Sequence, residues 1–167
     1  MYQPEYAEHR QRTGRRTGLR WLNPNPNSFE WEQTMDARGT FGKMVDAWKN
    51  RDWDALRDVI DSDYVYTGPD ATRAVGVDAG LAAGWIGVAD AFPDGDLEVN
   101  GAYVDGDTVV TEFRFTGTNT GNFFEMAPTG KRVDFEVCNV MHLRGGKVVA
   151  ERDYADVHGF LEQLGVV

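Results

Sequence analysis

Cysteine is nearly absent from this chain: Cys138 is the single one in 167 residues, so no internal disulfide can form. Histidine is almost as scarce. His9, His142 and His158 have no spacing that would chelate zinc, and no carboxylate cluster follows the pattern of a calcium loop. Glycine-rich phosphate loops and a serine nucleophile elbow are missing, which argues against nucleotide chemistry and serine hydrolysis. No apolar run approaches the ~18 residues required to span a bilayer. The N-terminus also lacks the apolar core of a signal peptide, so a cytoplasmic setting is expected. Nor is there a basic excess: a net charge of −10 argues against nucleic acid or a membrane surface as the main partner.

The length suits one domain with a sizeable core and an appended arm. Residues 1–34 differ from the rest. Five arginines (Arg10, Arg12, Arg15, Arg16 and Arg20) stand there against four glutamates, for a net of +1, which leaves −11 elsewhere. Asn23-Pro24-Asn25-Pro26-Asn27 forbids regular structure. This segment reads either as a flexible leader or as an arm whose Trp21, Leu22, Phe29 and Trp31 dock on a neighbouring subunit. Residues 35–167 form the expected domain.

Within it, Phe41, Met44, Val45 and Trp48 follow i, i+3, i+4, i+7 spacing and predict an amphipathic helix. After a break at residues 50–54, Trp53, Leu56, Val59 and Ile60 predict a second, shorter one. Tyr64-Val65-Tyr66 is a short strand, and residues 76–91 form a third helix weakened by Gly80, Gly84 and Gly87. Four strands follow, over 97–104, 108–116, 131–143 and 147–155, paired through turns at Asp105-Gly106 and Gly145-Gly146. A short helix around Phe160–Leu164 closes the chain. Helices first and a long antiparallel sheet afterwards define an α+β class, and a curved sheet around a helix leaves one open, partly apolar mouth.

Ala91-Phe92-Pro93-Asp94, Gly117-Thr118-Asn119-Thr120-Gly121 and Pro128-Thr129-Gly130-Lys131-Arg132 resemble the SnoaL-like polyketide cyclases. So do Gly146-Lys147-Val148-Val149, Asp153-Tyr154-Ala155-Asp156 and Leu161-Glu162-Gln163-Leu164-Gly165, in the same order. The resemblance covers roughly residues 36–167. It implies a cone-shaped barrel of the ketosteroid-isomerase type, a curved antiparallel or mixed sheet wrapped around N-terminal helices, and a homodimer or homotetramer. It also implies closure of a polyketide ring by intramolecular aldol condensation, with one aspartate as general acid/base and no metal or other cofactor. That aspartate falls at Asp156, and a histidine one strand earlier falls at His142. The chain departs from the family pattern at Asn119, where histidine is frequent, and at Arg152, where tryptophan is frequent.

The residues themselves leave several readings open. His142 and Asp156 flank the Gly145-Gly146 turn, so a hairpin is able to bring an imidazole and a carboxylate to one cavity. Along the last strand, Val148, Ala150, Arg152, Tyr154 and Asp156 alternate with Val149, Glu151, Asp153 and Ala155, and neither set is wholly apolar. With the even set inward, Arg152, Tyr154 and Asp156 enter the cavity together. Asp156 is otherwise the N-cap of the last helix, and His142 a surface residue beside the turn. Arg152 either binds an anionic substrate group or pairs with Asp156, Glu136 or Glu151. Asn139 and Tyr66 are candidate donors to an enolate oxygen, or satisfied core groups. Trp85, Phe92 and Phe115 either line an aromatic-binding cavity or fill the core. The expected ligand is a hydrophobic, carbonyl-bearing small molecule. The leading expectation is a cyclase. An isomerase, dehydratase or epoxide hydrolase on the same fold, or a non-catalytic binding module, stands beside it.

Overall fold

In a computed structural model, the residues described are 37–167. The expected N-terminal arm lies outside them. Helix α1 (Ala37–Asn50) buries Phe41, Met44, Val45 and Trp48 along one stripe, as their spacing requires. Asp52 then caps α2 (Trp53–Asp58), its side chain accepting from the Ala55 N–H at 3.0 Å. The second helix is shorter than expected. Ile60, read as its last apolar residue, instead opens β1 (Ile60–Thr67) and pairs with Val148. A short strand, β2 (Arg73–Val75), which the sequence did not announce, follows it.

The third helical stretch runs as α3 (Val77–Leu81), a π-helical turn (Ala82–Ile86) and α4 (Gly87–Ala91). Its glycines have a packing reason. A methyl group on Gly80 would lie 2.5 Å from the Tyr64 ring, and one on Gly84 would lie 2.8 Å from the Tyr66 ring. The helix therefore sits directly on two tyrosines of β1, closer than any side chain would permit. The π-turn leaves the Trp85 carbonyl to accept from the Trp48 indole N–H at 2.9 Å, which ties α1 to it.

Strands β3 (Asp96–Asp105), β4 (Thr108–Thr118), β5 (Arg132–Arg144) and β6 (Lys147–Ala155) complete a six-stranded sheet in the order β2-β1-β6-β5-β4-β3. All pairings are antiparallel except β1 with β6, so the sheet is mixed. It is curved and unclosed, and the helices fill its concave side, which is the cone-shaped α+β arrangement. At one end, Phe92, Phe115, Phe123, Phe135 and Phe160 pack edge to face or tilted, with centroids 4.9–6.3 Å apart, beneath α5 (Val157–Leu164). Buried Asn119 pins the neighbouring loops. Its side chain donates to the Gly121 carbonyl at 2.9 Å and accepts from the Thr129 N–H at 2.8 Å.

One irregularity in β6 sets which of its side chains face inward. Leu143 pairs with Val148, but His142 pairs with Ala150, so Val149 is an extra residue in β6. A bulge of one residue reverses which side chains face inward beyond it. Val148 is buried on the even set, whereas Glu151 is buried on the odd set.

The close helix–tyrosine contact is testable. Gly80→Ala should destabilise the fold by about 1–3 kcal/mol through overpacking against Tyr64. Urea unfolding measures this, and an unchanged midpoint would show that the helix does not rest on Tyr64.

Candidate active site

Because of the Val149 bulge, β6 turns Glu151 and Asp153 toward the interior. Glu151 is 3% exposed and lies among three donors from three different elements. The Tyr64 hydroxyl of β1 donates to its Oε2. The Trp85 indole N–H, from the π-turn, lies 3.0 Å from both carboxylate oxygens, and Asn139 Nδ2 of β5 donates to Oε1 at 2.6 Å. Asp153 is only partly buried. It accepts from the Tyr66 hydroxyl at 2.8 Å and from the same Asn139 Nδ2 at 2.6 Å. One amide group thus bridges two carboxylates with its two hydrogens.

The electrostatics follow from this crowding. Burial, and then the charge of Asp153, push Glu151 up from the ordinary 4.5 to about 7, against the opposing pull of its three donors. Burial likewise raises Asp153, while Asn139 and Tyr66 draw it back. Two carboxylates this close do not both ionise readily, so their titrations are coupled. Tyr64 and Tyr66 are held well above the ordinary phenol value by burial and by the neighbouring carboxylates, so both remain donors. Glu151 is nearly saturated with donors. Asp153 keeps lone pairs free and is the more exposed of the two, so it is the group able to meet a ligand.

The expected site residues separate into two groups. Asn139, Tyr66 and Trp85 are brought together around the acid pair. Arg152, Tyr154 and Asp156 do not enter the interior, and the reading that placed them there is corrected by the bulge. Arg152 is exposed and Tyr154 is 53% exposed. Asp156 is exposed and caps α5, accepting from the Gly159 N–H at 2.9 Å. Nor does His142 meet Asp156. It is exposed, shares a 3.1 Å hydrogen bond with Thr108 Oγ1, and pairs with Ala150, while Ala155 pairs five positions away at Val137. That separation is roughly 16 Å along the strand. Phe92 and Phe115 belong to the aromatic cluster described above, in contact with each other at 5.4 Å. Arg152 pairs with neither Glu136 nor Glu151. Glu136 lies opposite Arg114 in the register, and Glu151 is held by neutral donors.

Glu151 and Asp153 escaped sequence reasoning because alternation was carried through the strand without a break. Two signals were present. Val148-Val149-Ala150 shows no alternation, as expected where a bulge falls. Asn139 is the one polar residue in the set Val133, Phe135, Val137, Asn139, Met141, Leu143, and so marks the polar spot on an apolar face.

A curved sheet around helices, with a buried acid pair inside, defines a small α+β cone protein. The family model for SnoaL-like polyketide cyclases matches residues 40–164, and the chain belongs to that family. Among solved structures, it is similar to AclR of Streptomyces galilaeus, a hydroxylase by provisional assignment. Identity is 27%, coverage 78% of this chain and 96% of that one, and TM-score 0.65. It is also similar to IdmH of Streptomyces antibioticus, provisionally a polyketide cyclase, at 26% identity, 78% and 99% coverage and TM-score 0.64. An LEH-like epoxide hydrolase of M. tuberculosis shares the fold at 22% identity, 80% and 95% coverage and TM-score 0.57. No curated protein matches the sequence. Among the described residues, no helix is long and apolar enough to cross a membrane.

The raised Glu151 makes a signed prediction. A carboxyl that holds its proton more tightly folded than unfolded contributes stability below about pH 4.5, which is lost as pH rises through about 7. Asp153 adds to the same trend. Denaturant melts across this window should show stability falling with pH, with a flatter profile for Glu151→Gln. An identical slope in both proteins would mean that Glu151 is not buried as a proton-holding acid.

Proposed function

We propose that this protein is a cyclase that closes a ring in a polyketide-like, carbonyl-bearing substrate by aldol chemistry, with Asp153 as general acid/base. The observation that carries this reading is the Glu151–Asp153 pair bridged by Asn139 inside a cone of the cyclase family. Ionised Asp153 takes a proton from a carbon flanked by two carbonyls. The resulting carbanion, delocalised as an enolate, attacks a second carbonyl of the same molecule and forms the carbon–carbon bond. The alkoxide produced takes the proton back from Asp153, so the carboxylate is regenerated and no electrons are gained or lost.

Glu151 acts through Asp153. Burial raises the basicity of Asp153, and Glu151, joined to it through Asn139, titrates together with it. Tyr66 and Asn139 position the Asp153 carboxylate, and Tyr64 with Trp85 position Glu151. A second reading is the opening of an epoxide by a water that Asp153 deprotonates, the proton then passing from Asp153 to the ring oxygen as it opens. The pair favours this as the alternative reading.

Deuterium uptake from heavy water at the central carbon of a 1,3-diketone, followed by NMR, tests the proton-transfer step without knowledge of the natural substrate. Asp153→Asn should slow the enzyme-dependent exchange by about 10²-fold or more. Exchange that is unaffected in Asp153→Asn would remove Asp153 as the base. Asp156→Ala serves as the contrasting variant. It should keep full exchange activity while losing about 1 kcal/mol of stability, because it deletes a helix cap. If Asp156→Ala lost exchange at unchanged stability, the cap assignment would fail and Asp156 would return as a catalytic candidate.

A further inference from the structure

Among the described residues, one side chain of the helical layer hydrogen-bonds to the acid pair. It is Trp85, and it lies in the irregular turn of that layer. Between α3 and α4 the Gly87 N–H donates to the Ala82 carbonyl, five residues back, where an α-helix would use four. A methyl group on Gly87 would lie 2.2 Å from that carbonyl oxygen, so glycine alone fits the turn as it stands. The Trp85 N–H is centred on Glu151, 3.0 Å from each oxygen. A retreat of about 0.5 Å would take both contacts to the limit of hydrogen bonding.

The turn is gripped from another element. Trp48 of α1 is fully buried and donates from its indole N–H to the Trp85 carbonyl at 2.9 Å. Its own ring is fixed on two sides, by the Arg51 guanidinium 4.6 Å from the centroid and by Phe115, edge to face at 6.2 Å. Successive residues of an ordinary helix are turned by about 100°. A slip at Gly87 from the five-residue bond to a four-residue bond would therefore re-aim Trp85 and withdraw its N–H from the carboxylate. The bond from Trp48 opposes that slip, because it holds Trp85 itself from a helix that the slip does not move. The titratable groups that face Glu151 are Tyr64 and Tyr66 of β1 and Asp153 of its own strand. The π-turn and β5 present Trp85 and Asn139, neither of which ionises.

We infer that Trp48 is a positioning residue for the acid pair, holding the π-turn from α1 so that the Trp85 N–H stays on both oxygens of Glu151. The inference rests on the proposed function in taking that pair as the working site, and it adds a residue that touches neither acid. The physical link is the charged form of Glu151. A donor aimed at a buried carboxylate stabilises it ionised, so displacing Trp85 leaves Glu151 protonated to higher pH. Glu151 titrates together with Asp153, so the range in which the pair changes charge moves with it. Linkage makes the effect reciprocal. If the Trp48 bond favours ionised Glu151, ionisation of Glu151 must tighten the Trp48 bond.

Two measurements on the whole protein test this. In the unmutated chain, the indole N–H signals of Trp85 and Trp48, followed by NMR across pH, should shift through one common midpoint. Both shifts should be lost in Glu151→Gln. A Trp48 signal that stays fixed while Trp85 titrates overturns the inference, and this reading needs no altered Trp48. The second measurement uses Trp48→Phe, which keeps a ring and removes the donor. It should raise the Glu151 midpoint, read by carbon NMR of labelled glutamate carboxyls, by about one pH unit, in the same direction as Trp85→Phe. The pH profile of 1,3-diketone exchange should move with it while KM is unchanged. Phe115→Leu loosens the packing on the Trp48 ring but leaves its N–H in place, so it should lower stability and leave the midpoint alone. A loss of stability with an unmoved midpoint in Trp48→Phe makes the bond structural only and overturns the inference. So does an equal movement in Phe115→Leu. If the unmutated protein catalyses no exchange, the proposed function fails, while the titrations, which need no substrate, still decide the role of Trp48.

Discussion

The carboxylate of Glu151 is the fixed point on which the interior is organised. It stands on β6 and receives hydrogen bonds from β1, the π-turn and β5. Removing a charge from water is costly unless donors replace the water, and three donors from separate elements meet that requirement only if sheet and helix are correctly seated. The network therefore links the position of the helical layer to the register of the sheet. Gly80 and Gly84 belong to the same constraint. They let the helix approach Tyr64 and Tyr66 closely enough for Trp85 to reach the carboxylate.

The sign of the site depends on one residue of backbone. A two-residue turn at Gly145-Gly146 and a regular hairpin would set Asn139 opposite Arg152, with an arginine facing the interior. The extra residue at Val149 sets Asn139 opposite Asp153 instead, with Arg152 opposite Val140 on the outside. The bulge exchanges a cation for two acids without changing the sequence of any other element. The acids give the interior a proton-holding pair, whereas the arginine would have given it an anion-binding character.

That dependence explains what the sequence made legible. The helix of Phe41 to Trp48, the two hairpins, the α+β class and the family were all readable, because each rests on local periodicity, on turn chemistry or on motifs in order. Asn139, Tyr66 and Trp85 were readable as polar or aromatic groups in otherwise apolar patterns. The inward face of β6 was not, since alternation holds only between bulges and a bulge has a weak local signature. Asp156 drew attention by its place at the end of the last strand. Its location before an apolar helix, where aspartate caps the free N–H groups, was an equally strong physical claim on it.

The two acids have different surroundings because the sheet gives them different depths. Glu151 lies among donors and cannot reach a ligand without breaking them, so its contribution is electrostatic. Asp153, two residues further along on the same face and less buried, has lone pairs to spare and only two partners. Asn139 couples them. Any proton taken up by Asp153 removes a charge beside Glu151 and lets it ionise more fully, and the loss of that proton reverses the change. In the proposed reaction, a base built in this way would be regenerated by its neighbour as well as by the product, which is what a step that returns its own proton needs.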